Sequence, residues 1–85
     1  MDCVLCASRP GLRDGEAAVT VVDARGARHC LRVERDLLRV LDERAYPLVG
    51  VVGWLAQRAL VELPHGADSG TQRLWVEIDR VRELP

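Results

Sequence analysis

The sequence predicts one small antiparallel domain of the α+β class, built as a hairpin, a short helix and a second hairpin. Three observations lead to this class. Residues 16–33 have a hairpin pattern, leucines over residues 34–44 have helical spacing, and residues 73–79 alternate between apolar and polar side chains. We expect a single domain over residues 1–85, because this length suffices for one core and no more.

The first 15 residues carry cysteines, glycines and a proline rather than a periodic pattern, so we interpret residues 1–15 as an irregular N-terminal segment. The hairpin follows, with Asp23-Ala24-Arg25-Gly26 as its turn. A three-residue loop pairs Asp23 with Ala27 and gathers apolar residues and His29 on one face, whereas a two-residue loop exchanges the faces. We prefer the first register because it gathers more apolar side chains on one face.

The segment from Glu34 to Arg44 is interpreted as a short helix, because its leucines follow an i, i+1, i+4 spacing. Residues 47–63 leave helix and strand open. Two glycines disfavour a helix there, while residues 54–59 contain no turn former that would separate two strands. Residues 64–71 have loop composition, and the strand at 73–79 is expected to pair with residues 59–63 across that loop.

Two architectures agree with this order of elements. The tail RLWVEIDRVREL resembles the last strand and helical turn of SH3-like barrels, which favours a small antiparallel barrel. The apolar spacing over residues 37–61 resembles the central helices of a winged helix-turn-helix, which is the alternative. A weak internal similarity links VTVV…HCLRVERDLLRVL with LVEL…RLWVEIDRVREL, but the gaps that it needs make it poor evidence of a repeat.

Composition narrows the function classes. The formal charge is −1, and acidic and basic residues alternate along the chain, which argues against a dedicated electrostatic nucleic-acid binder. All twelve basic residues are arginine, and the scarcity of Lys, Asn, Phe and Ile indicates a GC-rich bacterial genome. The sequence contains neither a membrane-spanning apolar run nor a secretory leader pattern, so we expect a cytoplasmic protein.

The motif Cys3-Val4-Leu5-Cys6 is the one pattern with metal-binding chemistry, because a C-x-x-C turn can present two thiolates to zinc. Cys30 and His65 would complete a tetrahedral set. There is no second C-x-x-C or H-x-x-C pair, so we expect no cofactor and keep zinc as the alternative. No nucleophile lies at a useful spacing from either histidine, and we therefore predict that the chain is not an enzyme.

The leading prediction is a non-enzymatic module that binds a protein partner or a second copy of itself. Trp75, Leu60 and Arg73 are its candidate contact residues, because an exposed tryptophan beside leucine and arginine is typical of interface hot spots. The alternative is a small nucleic-acid-binding regulator. Arg25, Arg28 and Arg32 on the first hairpin are the best basic patch for that role.

Overall fold

The computed structural model describes residues 1–10, 14–68 and 70–84, which form β-strands joined by turns and two short 3₁₀ segments. The described strands are β1 (Asp2–Val4), β2 (Ala7–Pro10), β3 (Glu16–Val22), β4 (Arg28–Glu34), β5 (Leu38–Leu41), β6 (Arg44–Leu55), β7 (Arg58–Glu62), β8 (Arg73–Glu77) and β9 (Val81–Glu83). The 3₁₀ segments are Arg35–Leu37 and Ile78–Arg80.

The strands form two antiparallel sheets. The smaller sheet has the order β2-β3-β4, and the larger has the order β8-β7-β6-β1-β9, with β5 also paired to β6. Side chains that alternate inward along the strands meet between the sheets, because successive residues of a strand point to opposite faces. The buried core consists of Val4, Ala17, Val19, Val21, Leu31, Val33, Val49, Ala59, Val61, Leu63, Ala67, Leu74 and Val76.

The chain contains two β-units with a similar plan: strands β1–β5 form the first unit, and strands β6–β9 form the second. The segments 33–41 and 76–84 share five of nine residues without a gap. In each of them a strand ends at an extended glutamate, a 3₁₀ segment follows, and a short strand continues. The pairing repeats as well, since Val19 lies opposite Leu31 in the first unit and Val61 lies opposite Leu74 in the second.

Strands β1 and β6 tie the two units together. Asp2 pairs with Val49, and Cys6 pairs with Ala45. In the alignment of the two units, Ala45 is the counterpart of Asp2, and Val49 is the counterpart of Cys6. Replacing each residue by its counterpart therefore turns one pair into the other, so the strand pairing has an approximate two-fold symmetry. The outer strands obey the same relation, because β9 lies on β1 as β5 lies on β6.

The predicted α+β class is wrong, because the described residues contain no α-helix. The helix expected from Glu34 to Arg44 is a 3₁₀ segment followed by β5, which pairs with β6. The winged helix-turn-helix and the hairpin–helix–hairpin order of the SH3-like barrel are wrong as well, because both include a helix. The leucine spacing does not distinguish a helix from a strand here, because an i, i+1, i+4 stripe over so few residues also arises where a short strand follows a turn.

The structure can also be compared with the predictions for the two hairpins and for the N-terminal segment. The preferred register of the first hairpin is confirmed: Asp23 N–H donates to Ala27 O at 2.9 Å, and Val21 lies opposite His29. The pairing of residues 59–63 with the strand from Arg73 is also confirmed. By contrast, much of the N-terminal segment expected to be irregular forms β1 and β2, although residues 11–13 lie outside the described part.

Residues 47–63 are strands rather than a helix, and their turn has an unusual composition. Strands β6 and β7 are joined by Ala56 and Gln57, and Ala56 has a φ of 54°. The β5–β6 turn likewise places Asp42 and Glu43 at φ values of 51° and 66°. Left-handed backbone normally favours glycine, asparagine or aspartate, so Asp42 suits its turn, whereas Glu43 and Ala56 carry no recognisable signal in the sequence.

We expect the two units to depend equally on their equivalent core leucines. Leu31→Ala and Leu74→Ala remove side chains that are 2% and 4% exposed, and each should lower the free energy of unfolding by about 2–4 kcal/mol. Leu55→Ala, at a position 66% exposed, serves as the control and should cost less than about 0.5 kcal/mol. Urea unfolding measures all three, and a control loss as large as the core losses would contradict this packing.

Candidate functional site

The outer face of strands β6, β7 and β8 carries a group of apolar side chains. Leu60 lies directly opposite Trp75, and both point away from the core because their neighbours Ala59, Val61, Leu74 and Val76 point into it. Trp75 is 38% exposed. Its backbone is anchored, because Trp75 O accepts a 2.7 Å hydrogen bond from Ala24 N–H at the tip of the first hairpin.

Neighbouring residues enlarge this surface without covering it. Gly53 lies opposite Leu60 on β6, where a Cβ atom would stand 3.8 Å from the Leu60 Cβ, so the missing side chain leaves one flank of Leu60 open. Leu55 lies opposite Arg58 on the same outer face and is well exposed. We call the surface formed by Leu55, Leu60 and Trp75 the Trp75 face.

Two ion pairs border the Trp75 face. Arg73 Nη2 lies 3.4 Å from Glu62 Oε2 on one side of the Leu60–Trp75 pair, and Arg58 Nε lies 3.8 Å from Glu77 Oε1 on the other. Both pairs are exposed and therefore add little to stability. Because each arginine on this face lies beside a carboxylate, the positive and negative charges of the face balance.

The structure thus brings together the three residues predicted to contact a partner, Leu60, Arg73 and Trp75. The tryptophan and leucine form one cross-strand pair, and Arg73 lies on the same face two residues before Trp75. Leu55 was not among the predicted contacts. Only the β6–β7 turn places it beside them, and residues 54–59 gave no signal for that turn.

The equivalent outer face in the first unit, on β2, β3 and β4, carries three arginines rather than an apolar cluster, with the Glu16–Glu34 pair at one end. Arg28 and Arg32, two of the arginines proposed for nucleic acid, alternate with Cys30 along β4 on this face. Arg9 on β2 lies in the same row as Ala18 and Arg32. The third predicted arginine, Arg25, lies in the hairpin turn beside a different cleft that it shares with Arg58 and Trp75.

The cysteines of the C-x-x-C motif lie in different environments. Cys3 is buried, and its Sγ lies 3.5 Å from the carbonyl oxygen of Arg82. Cys6 instead lines a groove together with Cys30. The two side chains diverge because this part of the chain is extended, and residues three apart in extended backbone face opposite sides.

The thiol chemistry follows from burial. Desolvation raises the pKa of Cys6 to about 12 and also raises that of Cys3, which keeps both sulfurs protonated. His65 is exposed in the loop after β7. Over residues 1–10, 14–68 and 70–84, no group of three or more His, Cys, Asp or Glu side chains is arranged to hold a metal ion. Zinc binding stays an untested prediction.

A histidine–aspartate pair organises the tip of the first hairpin. His29 Nε2 lies 2.8 Å from Asp23 Oδ2, while Asp23 Oδ1 accepts hydrogen bonds of 2.9 Å from the backbone N–H groups of Arg25 and Ala27. The hydrogen bond to His29 holds the pKa of the Asp23 carboxyl below its usual range, and the backbone hydrogen bonds add to this effect. Both oxygens of the carboxylate are therefore committed to holding the turn.

The comparisons with known proteins give no relative. We found no match to any protein-family model, to any curated protein or to any solved structure. In the part of the chain that the structure describes, no helix is long and apolar enough to cross a bilayer.

We expect Asp23→Ala to lower the free energy of unfolding by about 1–2 kcal/mol at pH 7, because it removes an acceptor from two backbone N–H groups. Since the folded-state pKa of Asp23 is lowered, this contribution is complete above the unfolded value of about 3.9 and disappears as the pH falls through the folded value. The wild type and the variant should therefore converge in acid. Urea unfolding between neutral pH and about pH 3 measures the difference.

Asp79→Ala is the control for this measurement, because Asp79 is exposed and carries no side-chain hydrogen bond within the described residues. It should change stability by less than about 0.5 kcal/mol at every pH. A constant difference between wild type and Asp23→Ala across the pH range would contradict the assigned role of the carboxylate.

Proposed function

We propose that this chain is a non-enzymatic module that associates with a second copy of itself through the Trp75 face. The observation that carries the proposal is the cross-strand pair of the exposed Trp75 and the half-buried Leu60, bordered by balanced charge. Tryptophan and arginine dominate the binding energy of protein interfaces, and an apolar centre with a polar rim is their usual arrangement.

The charge pattern explains why the occupant would be a second copy. The three rows across β7 and β8 are Arg58 with Glu77, Leu60 with Trp75, and Glu62 with Arg73. When the face is laid on its own copy about a two-fold axis in the interface, parallel or perpendicular to the strands, every arginine meets a glutamate. Two-fold symmetry requires such self-complementarity, and this face has it in both arrangements.

The area of the Trp75 face determines how strong a dimer we expect. Three strands about 4.8 Å apart and five residues of about 3.3 Å give an area on the order of 250 Å² for each copy. Stable interfaces bury about 800 Å² for each partner. We therefore propose a weak, reversible dimer that forms in the micromolar range or above, as suits a regulatory or accessory module.

We also propose the cytoplasm as its compartment. Cys3, Cys6 and Cys30 are free thiols in the structure. A reducing compartment keeps thiols in this form, whereas secreted domains of this size are typically rich in disulfides.

Sedimentation equilibrium over a concentration series tests the dimer. For the wild type, the average mass should rise from 9.4 kDa towards twice that value. Trp75→Ala should weaken the dimer by at least about tenfold, because it removes the largest apolar group of the face. Arg73→Glu should weaken it as well, because it replaces the attraction across the interface with repulsion between glutamates.

Trp54→Ala is a matched control. Trp54 is 58% exposed, but it lies opposite the buried Ala59 and so projects to the other side of the sheet from Leu60. This variant should dimerise like the wild type. A wild type that stays monomeric up to sub-millimolar concentration, or equal losses in Trp54→Ala and Trp75→Ala, would refute self-association through this face.

A further inference from the structure

A groove lined by arginines lies where the outer face of the first unit meets the crossing of β1 and β6. It encloses about 710 Å³, within the size range of small-molecule sites. Arg9, Arg28, Arg44 and Arg80 line it, and no carboxylate lines it among the described residues. We call it the arginine groove.

These four arginines belong to four different elements of the fold. Arg9 and Arg28 lie on β2 and β4 of the small sheet. Arg80 ends the second 3₁₀ segment, and its carbonyl oxygen accepts a 2.8 Å hydrogen bond from Leu5 N–H. Arg44 begins β6, beside Ala45, whose carbonyl oxygen accepts a 3.0 Å hydrogen bond from Cys6 N–H. Backbone hydrogen bonds of the crossing therefore fix one wall of the groove.

The charges of the groove are not compensated within the described residues. None of the four arginines has an ion pair or a side-chain hydrogen bond there, whereas Arg58, Arg73 and Arg82 each face a carboxylate. An anion that binds in the groove would therefore meet positive charge that no carboxylate of the described residues neutralises.

The groove also has an apolar part. Leu5 and Val22 line it beside the arginines, and the small side chains of Thr20 and Cys30 leave room between them. Guanidinium groups bind phosphate oxygens in a bidentate geometry, and apolar side chains of this kind suit the organic part of a ligand. The combination favours an organic phosphate over an inorganic monoanion.

We propose that the arginine groove binds an organic ligand that carries two or more phosphate charges, of the nucleoside diphosphate class. The phosphates lie among the four guanidinium groups, and the organic part lies against Leu5 and Val22. This site lies between the two units, apart from the Trp75 face, and it does not depend on dimer formation.

Isothermal titration calorimetry with ADP and with pyrophosphate, at low and at physiological salt, tests the site. Both probes should bind the wild type with a stoichiometry of one per chain, and added salt should weaken binding through screening. Arg28→Ser and Arg80→Ser should each weaken binding by about tenfold, because each removes a charge-assisted contact. Arg9→Ser, on an exposed strand position, repeats the test should the Arg80 variant fail to fold.

Arg35→Ser is the matched control, because Arg35 is exposed and does not line the groove. It should bind both probes within about twofold of the wild type. Equal losses in Arg35→Ser and Arg28→Ser, or no binding of either probe, would overturn the proposal. Oligonucleotides form a second arm: tight, length-dependent binding of them without binding of ADP would assign the arginines to a nucleic-acid backbone and also overturn it.

Discussion

The antiparallel crossing of β1 and β6 is the constraint on which the rest of the molecule depends. Each unit alone has a three-stranded sheet with an apolar inner face, and it contains no second layer that could bury that face. The crossing supplies one, because Asp2 with Val49 and Cys6 with Ala45 bring the units together about an approximate two-fold axis. The two inner faces then bury each other, and Val4 at the crossing is fully buried.

The two outer faces share one backbone plan but differ in chemistry, and we trace function to this difference. In the second unit, each arginine on the outer face stands opposite a glutamate, and the Leu60–Trp75 pair remains the dominant feature. On the equivalent face of the first unit, two glutamates lie opposite each other at one end, and the arginines on β2 and β4 form no ion pair within the described residues. A face with balanced charge and an apolar centre suits another protein surface, and a groove with an excess of guanidinium groups suits an anion. One duplicated scaffold therefore offers two surfaces of different specificity.

The sequence predicts the parts of this molecule that depend on local contacts. The first hairpin and its register follow from the Asp23–Gly26 turn and the alternating apolar residues, and Leu60, Arg73 and Trp75 are correctly grouped by the second hairpin. The strand β5 is missed because it is defined by pairing with β6 across a turn whose left-handed residues are neither glycine nor asparagine. The arginine groove is missed for a related reason. Its members lie far apart in the sequence and meet only through the crossing, which leaves no local pattern.

The contacts of the crossing can be measured directly by solution NMR on the intact chain. The crossing predicts nuclear Overhauser effects that join Asp2 to Val49 and, in the same spectrum, Cys6 to Ala45, and the pairing of β5 predicts extended-chain chemical shifts over residues 38–41. Both contacts must be present, because the Asp2–Val49 and Cys6–Ala45 pairs belong to a single antiparallel register. Helical shifts over residues 34–44, or one of the two contacts without the other, would contradict the duplicated β-architecture and with it the positions of both proposed surfaces.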